Sequence, residues 1–159
     1  MNALTFHAAE RSPGRSPASA SQRLLIVDDD ACLSRLEATI LKSAGYQVDT
    51  AAEAETAFHA LSSGLYDALV TDNLMPGLSG VGLVRQMRGA NIQVPVVMVS
   101  GSLESLDLER LRDDPWSRIF AFVHKPFRSK ELLSAVAAAL LGETSPVSAG
   151  WSEGGLPGF

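Results

Sequence analysis

Five short apolar runs, separated by stretches of helical periodicity, limit this chain more than any other feature. The runs are 23–27 (RLLIV), 46–50 (YQVDT), 67–71 (DALVT), 94–99 (VPVVMV) and 119–123 (IFAFV). The first helical pattern places Leu33, Leu36, Ile40, Leu41 and Ala44 on one face and stops at Gly45, a residue suited to a left-handed terminator. Further helices are expected over 53–63, 79–89, 104–113 and 129–141, the last with Ser129 as N-cap. Strands alternating with helices require crossover connections, which give a parallel sheet with helices on both faces. Leu24 to Val27, apolar at every position, suit a strand buried on both sides, yet they run directly into Asp28, Asp29 and Asp30.

Composition narrows the class. The 159 residues are 46% hydrophobic and carry a net charge of −5, which suits one compact domain and argues against a basic nucleic-acid-binding face. Cys32 is the only cysteine, so no intrachain disulfide can form, and a reducing compartment, the cytoplasm, is expected. The longest apolar runs fall far short of the roughly 20 residues that span a bilayer. Residues 1–22 are rich in Ser, Ala, Pro and Arg without periodicity and are expected to form a disordered arm ahead of a domain over 23–141. Residues 142–159 have similar Gly, Ser and Pro character, with Trp151 and Phe159 as aromatics, and are expected to be a flexible tail.

In an open parallel sheet, ligands bind beyond the carboxyl ends of the strands, where the strand order reverses. The residues just past the strands here are Asp28 and Asp29, Asp72, Ser100 and Lys125, all on one rim. Two carboxylates about 4 Å apart repel by on the order of 4 kcal/mol at an effective dielectric near 20, so such a cluster calls for a cation. Carboxylate oxygens with no histidine or thiolate nearby favour Mg²⁺, or Mn²⁺, over zinc. One acid suffices to cap the following helix, a role assigned to Asp30, which leaves Asp28 and Asp29 for the metal. Asp72 can then act as a nucleophile toward a phosphoryl group, with Lys125 offsetting the developing charge and Ser100 donating its hydroxyl.

The pieces LLIVDDD (24–30), LVTDNLMPGLSG (69–80), VPVVMVSGS (94–102) and FVHKPF (122–127) resemble the receiver domain of two-component response regulators. The resemblance implies a flavodoxin-like, doubly wound five-stranded sheet of order 2-1-3-4-5 and a cis Lys125–Pro126 bond. It implies Asp72 as phosphoacceptor, Asp28 and Asp29 as the acidic pair for Mg²⁺, and the Leu74 backbone carbonyl as a further ligand. Ser100 stands at the switch hydroxyl, Lys125 at the phosphate-binding lysine and Phe122 at the aromatic that changes rotamer. The phosphoryl donor would be a histidine kinase or a histidine phosphotransfer protein. Output would pass to a protein partner through the face of the fourth helix, fifth strand and fifth helix, with a homodimer left open. Such a domain catalyses its own phosphorylation and dephosphorylation but counts as a signalling module, not an enzyme.

Two other schemes compete. Asp28-Asp29-Asp30 also fits the Asp-x-Asp opening of haloacid-dehalogenase-type phosphatases, with Asp28 as nucleophile and Asp30 as acid/base, but that leaves DNLMPG unexplained. A receiver acting as a phosphorylation-independent scaffold would not need Asp28, Asp29, Asp72, Ser100 and Lys125 together. The stretch 109–122 separates Ser100 from Lys125 by 25 residues and contains Pro115, so the fourth helix should be interrupted there, with Trp116 in core or edge packing. The last predicted helix is followed by about 18 residues, too few for a helix-turn-helix output module, so no DNA-binding output domain is expected. Leu74, two residues past Asp72, is expected to hinder the attacking water and slow dephosphorylation. His59 and His124 have no neighbouring constellation and are read as packing residues.

Overall fold

The computed structural model describes residues 21–102, 106, 108–114 and 117–143. The expectations for Pro115, Trp116, Trp151 and Phe159 lie outside them. The elements run β1 (Arg23–Val27), α1 (Ala31–Ser43), β2 (Gln47–Ala51), α2 (Ala54–Ser62), β3 (Ala68–Asp72), α3 (Gly80–Gly89), β4 (Val96–Ser100), α4 (Leu108–Asp113), β5 (Ala121–His124) and α5 (Ser129–Leu140). All neighbouring strands pair in parallel, and the order is β2-β1-β3-β4-β5, as expected. The chain moves from β1 outward to β2 and then across to β3, so the order reverses between β1 and β3.

The two-residue period of the strands sorts their side chains into two layers. Leu25, Val27, Leu69, Met98 and Phe122 pack with α2, α3 and α4 on one face. On the other, Leu24, Ile26, Val70, Val97, Val99 and Val123 pack with Leu41 of α1 and Leu132 and Val136 of α5. Every residue of β3 and of β4 is buried, which is why neither strand shows polar alternation. No helix among the described residues is long and apolar enough to cross a membrane.

Several local expectations shift. Pairing of Asp72 with Val99 and of Ser100 with His124 makes Asp72 and Ser100 the last residues of their strands, not the first beyond them. At α5, Arg128 is the N-cap and Ser129 the first helical residue, because Glu131 Oε2 reaches back to accept from the Arg128 backbone N–H at 2.8 Å. Leu106 lies in a bend and packs against the core layer, and α4 starts at Leu108, later than residue 104. It ends at Asp113, and the Leu111 carbonyl accepts from Ser117 Oγ at 2.9 Å.

The largest correction concerns α1. Its buried residues are Ser34, Glu37, Ala38 and Leu41, whereas Leu36 is 54% exposed. The apolar residues Leu33, Leu36 and Ile40 form a neighbouring stripe that, with Pro126 and Phe127, lines an open groove of about 460 Å³. The helix therefore turns a carboxyl toward the sheet and a leucine toward solvent. Gly45 follows the Ala44 cap at φ 95°, as expected for a left-handed terminator.

Candidate functional site

The site grows from strand ends at the switch point. Asp28 follows β1 and is 3% exposed. Its Oδ1 accepts from the Asp30 backbone N–H at 2.8 Å, and its Oδ2 accepts from Lys125 Nζ at 3.0 Å. Asp72 ends β3 at 8% exposure; Oδ1 accepts from the Leu74 N–H at 3.2 Å, and Oδ2 lies 3.3 Å from Lys125 Nζ. Asp29 is exposed at the mouth, where it borders a cleft of about 470 Å³ with Glu53, Pro76 and Gly77. Carboxylate oxygens of Asp28, Asp29 and Asp72 all lie within 4.8 Å of one another.

Asp30 does what was expected of it: Oδ1 accepts from the N–H groups of Cys32 at 2.9 Å and Leu33 at 3.1 Å, capping α1. An acid so engaged is not poised as the acid/base of the phosphatase scheme. Three carboxylates facing one ammonium leave an uncompensated negative site of hard oxygen donors, and that donor set fits a small divalent cation such as Mg²⁺.

Lys125 enters just after β5, where its backbone N–H donates to the Ser100 carbonyl at 3.0 Å and the following Lys125–Pro126 bond is cis. Burial alone pulls the Lys125 pKa down, but the hydrogen bond to Asp28 and the charges of Asp72 and Asp28 outweigh it, so the net pKa is raised. The ammonium is firmly charged at any physiological pH. Ser100 is fully buried, and its Oγ accepts from the Ser102 N–H at 3.3 Å. Phe122 is fully buried in β5, in the core layer that also holds Met98, Leu111 and Ile119. Leu74 is 58% exposed beside Asp72.

Three residues that the sequence reading passed over shape the site. Asn73 ties the loop after β3 to α3: its Oδ1 accepts from the Val81 N–H at 3.1 Å, and its carbonyl accepts from the Gly80 N–H at 3.1 Å. Gly80 is required there, since a Cβ would collide with the Asp72 carbonyl oxygen and lie 3.0 Å from Asn73 Cα. The signal was present in the motif itself, which ends on that glycine.

The third is Glu37, 1% exposed on α1. Burial, then the charge of Asp28, push its carboxyl up to about 8; Lys125 opposes this and Asp72 adds to it. Its Oε1 finds no hydrogen-bond partner among the described residues. Glu37 lies on the inner face of α1 with Ser34, Ala38 and Leu41, a rotation that the apolar spacing of the helix does not record.

A doubly wound parallel sheet with an acidic cluster and a lysine at its switch point has the architecture of an open α/β domain that binds its ligand beyond the strand ends. Known proteins agree. Residues 24–137 match the sequence profile of the response regulator receiver domain. The DNA-binding response regulator MtrA of Mycobacterium tuberculosis is 32% identical over 123 residues, 75% of this chain and 50% of MtrA. The transcriptional regulatory protein DltR of Streptococcus agalactiae is 27% identical over 118 residues, 72% of this chain and 50% of DltR. The chain thus spans about half the length of the curated relatives it matches. Among solved structures, a putative response regulator from Chloroflexus aurantiacus is 30% identical with a TM-score of 0.66, covering 77% of this chain and 99% of that one. The chemotaxis response regulator CheY4 of Vibrio cholerae shares the fold at a TM-score of 0.66 and 23% identity, covering 76% of this chain and 99% of its own.

The chain belongs to the response regulator receiver domain family, the signalling modules of two-component systems. Membership displaces the phosphatase scheme.

Proposed function

We propose that this chain is a phosphorylation switch in which Asp72 accepts a phosphoryl group from the phosphohistidine of a histidine kinase or phosphotransfer protein. One observation carries the reading: a single ammonium, Lys125 Nζ, lies 3.0 Å from Asp28 Oδ2 and 3.3 Å from Asp72 Oδ2 at the strand-order switch. An Asp72 carboxylate oxygen attacks phosphorus, the P–N bond of the donor breaks, and its electron pair stays on the imidazole nitrogen. Lys125 offsets charge on the phosphoryl oxygens as the group arrives. Asp28, Asp29, Asp72 and the Leu74 carbonyl would hold Mg²⁺, or Mn²⁺ in its place; the ion supplies charge neutralisation and ligation of phosphoryl oxygens.

Ser100 then donates its hydroxyl to a phosphoryl oxygen, and Phe122 repacks with it. The two residues lie on adjacent paired strands, β4 and β5, which supports a joint movement. Because that hydrogen bond exists only in the phosphorylated form, it biases a two-state equilibrium. The face built from α4, β5 and α5 carries the change to a downstream protein partner or a second copy of the chain. The lone Cys32 fits a reducing compartment, and the cytoplasm is the proposed setting.

The test is phosphorylation with acetyl phosphate, and binding of beryllium fluoride, each with Mg²⁺. Asp72→Asn should lose the acyl phosphate, while Asp28→Asn should weaken the metal dependence. Acyl phosphate surviving in Asp72→Asn and lost only in Asp28→Asn would refute the assignment.

A further inference from the structure

Beneath the acidic rim lies a carboxyl that phosphoryl transfer does not use. Continuing the strand alternation, Asp28, Asp72 and Lys125 fall on the same side of the sheet as Leu24, Ile26, Val70 and Val123, the side covered by α1 and α5. Glu37 faces that side from α1 at 1% exposure, with Oε1 unpartnered among the described residues. The groups around it are unevenly charged. Asp28 after β1 and Asp72 at the end of β3 are acids, and Lys125 after β5 is the cation that reaches it electrostatically. That cation is already held by Asp28 and Asp72. Among the described residues, β2 turns Val48 to this layer and α5 turns Leu132, Ala135, Val136 and Ala139, while Tyr46, just ahead of β2, packs on its edge.

A carboxyl in this position is neutral when it lacks a cation partner, because an unpaired buried charge is far more costly than a buried proton. A dication arriving among Asp28, Asp29 and Asp72 cancels the net negative charge there and favours the ionised form. We propose that Glu37 is a positioning residue linking metal binding to pH: it holds a proton in the metal-free protein and releases it to solvent when the divalent cation binds. Balance is simple: the protonated carboxyl and a free dication become a carboxylate, a bound dication and a free proton. The inference rests on the metal-site reading above. Through it, metal occupancy rises with pH across the neutral range.

The experiment uses the full chain and two ions as probes. Mg²⁺ is added to weakly buffered protein at about pH 7, and released protons are counted with an indicator dye. Mn²⁺ affinity is read from loss of the free-ion electron paramagnetic resonance signal at about pH 6 and about pH 8. The wild type should release more than about half a proton per Mg²⁺ bound and bind Mn²⁺ about fivefold or more tightly at the higher pH. Glu37→Gln should release almost none, and its Mn²⁺ affinity should change less than about twofold over the same range. Glu37→Met, apolar and of similar length, should match Glu37→Gln and serves if that variant fails to fold. Mn²⁺ binding with equal proton release in wild type and variants overturns the proposal for Glu37 alone. No divalent binding by the folded wild type at either pH overturns the metal site itself, and the proposal with it.

Discussion

Glu37 also makes a prediction about the metal-free protein that stability measurements can decide. Its carboxyl titrates at about 8 in the fold, against an ordinary value of 4.5. The folded state therefore binds a proton that the unfolded chain has already released, and stability falls as pH rises from 4.5 to about 8, levelling off above. The full loss is about 5 kcal/mol, and about 3 kcal/mol of it has accrued by pH 7, on the order of a third of a typical domain's stability. Glu37→Gln keeps the side-chain shape and cannot titrate, so any cost of its buried amide is the same at every pH. Urea unfolding in EDTA, from about pH 5 to about pH 8, should show Glu37→Gln gaining on the wild type by about 3 to 4 kcal/mol across the range. Other ionisable groups cancel in that difference. A gap between wild type and variant that stays constant with pH would show that Glu37 does not titrate in this window and would refute the argument.

The remaining predictions follow from the same geometry. Gly80→Ala forces a Cβ against the Asp72 carbonyl and should destabilise by on the order of 1 to 3 kcal/mol, with slower phosphorylation by acetyl phosphate; a melting curve and a phosphorylation time course check both. Lys125→Met removes the ammonium bridging Asp28 and Asp72, so the metal-free protein should lose on the order of 3 kcal/mol, with saturating Mg²⁺ restoring part of it in parallel urea titrations. Leu74→Asn replaces an apolar side chain that stands 58% exposed beside Asp72, and hydrolysis of the radiolabelled aspartyl phosphate should accelerate roughly several-fold. An unchanged phosphoryl lifetime would remove Leu74 from the account of dephosphorylation.

The site residues and the buried glutamate differ in how readable they were, and the reason is physical. Asp28, Asp72, Ser100 and Lys125 announce themselves because a strand buried on both faces has few polar positions, and those at its carboxyl end have one place to go. Topology alone gathers them, since parallel strands all end on the same rim. A one-residue error in a strand boundary, as occurred at Asp72 and Ser100, leaves the rim intact. On a helix the same tolerance fails. Each residue turns the side chain by about 100°, and the direction that is buried depends on where the helix sits over the sheet, which no local pattern records.

In α1 that direction runs through Ser34, Glu37, Ala38 and Leu41, one step around from the apolar stripe of Leu33, Leu36 and Ile40. Counting apolar residues selected the stripe, because a glutamate on the inner face scores as an error in any amphipathic pattern. The cap at Asp30 sets the helix start, and the packing of Ala38 and Leu41 on the sheet sets the rotation. Together they bring Glu37 beneath a rim that is already acidic. An isolated helix would never hold a carboxyl there; the position exists only because the strands deliver Asp28, Asp72 and Lys125 to the same side of the sheet. The residue least legible in the chain is thus the one whose chemistry depends most on the assembled fold, and its proton is where the metal site and the core of α1 meet.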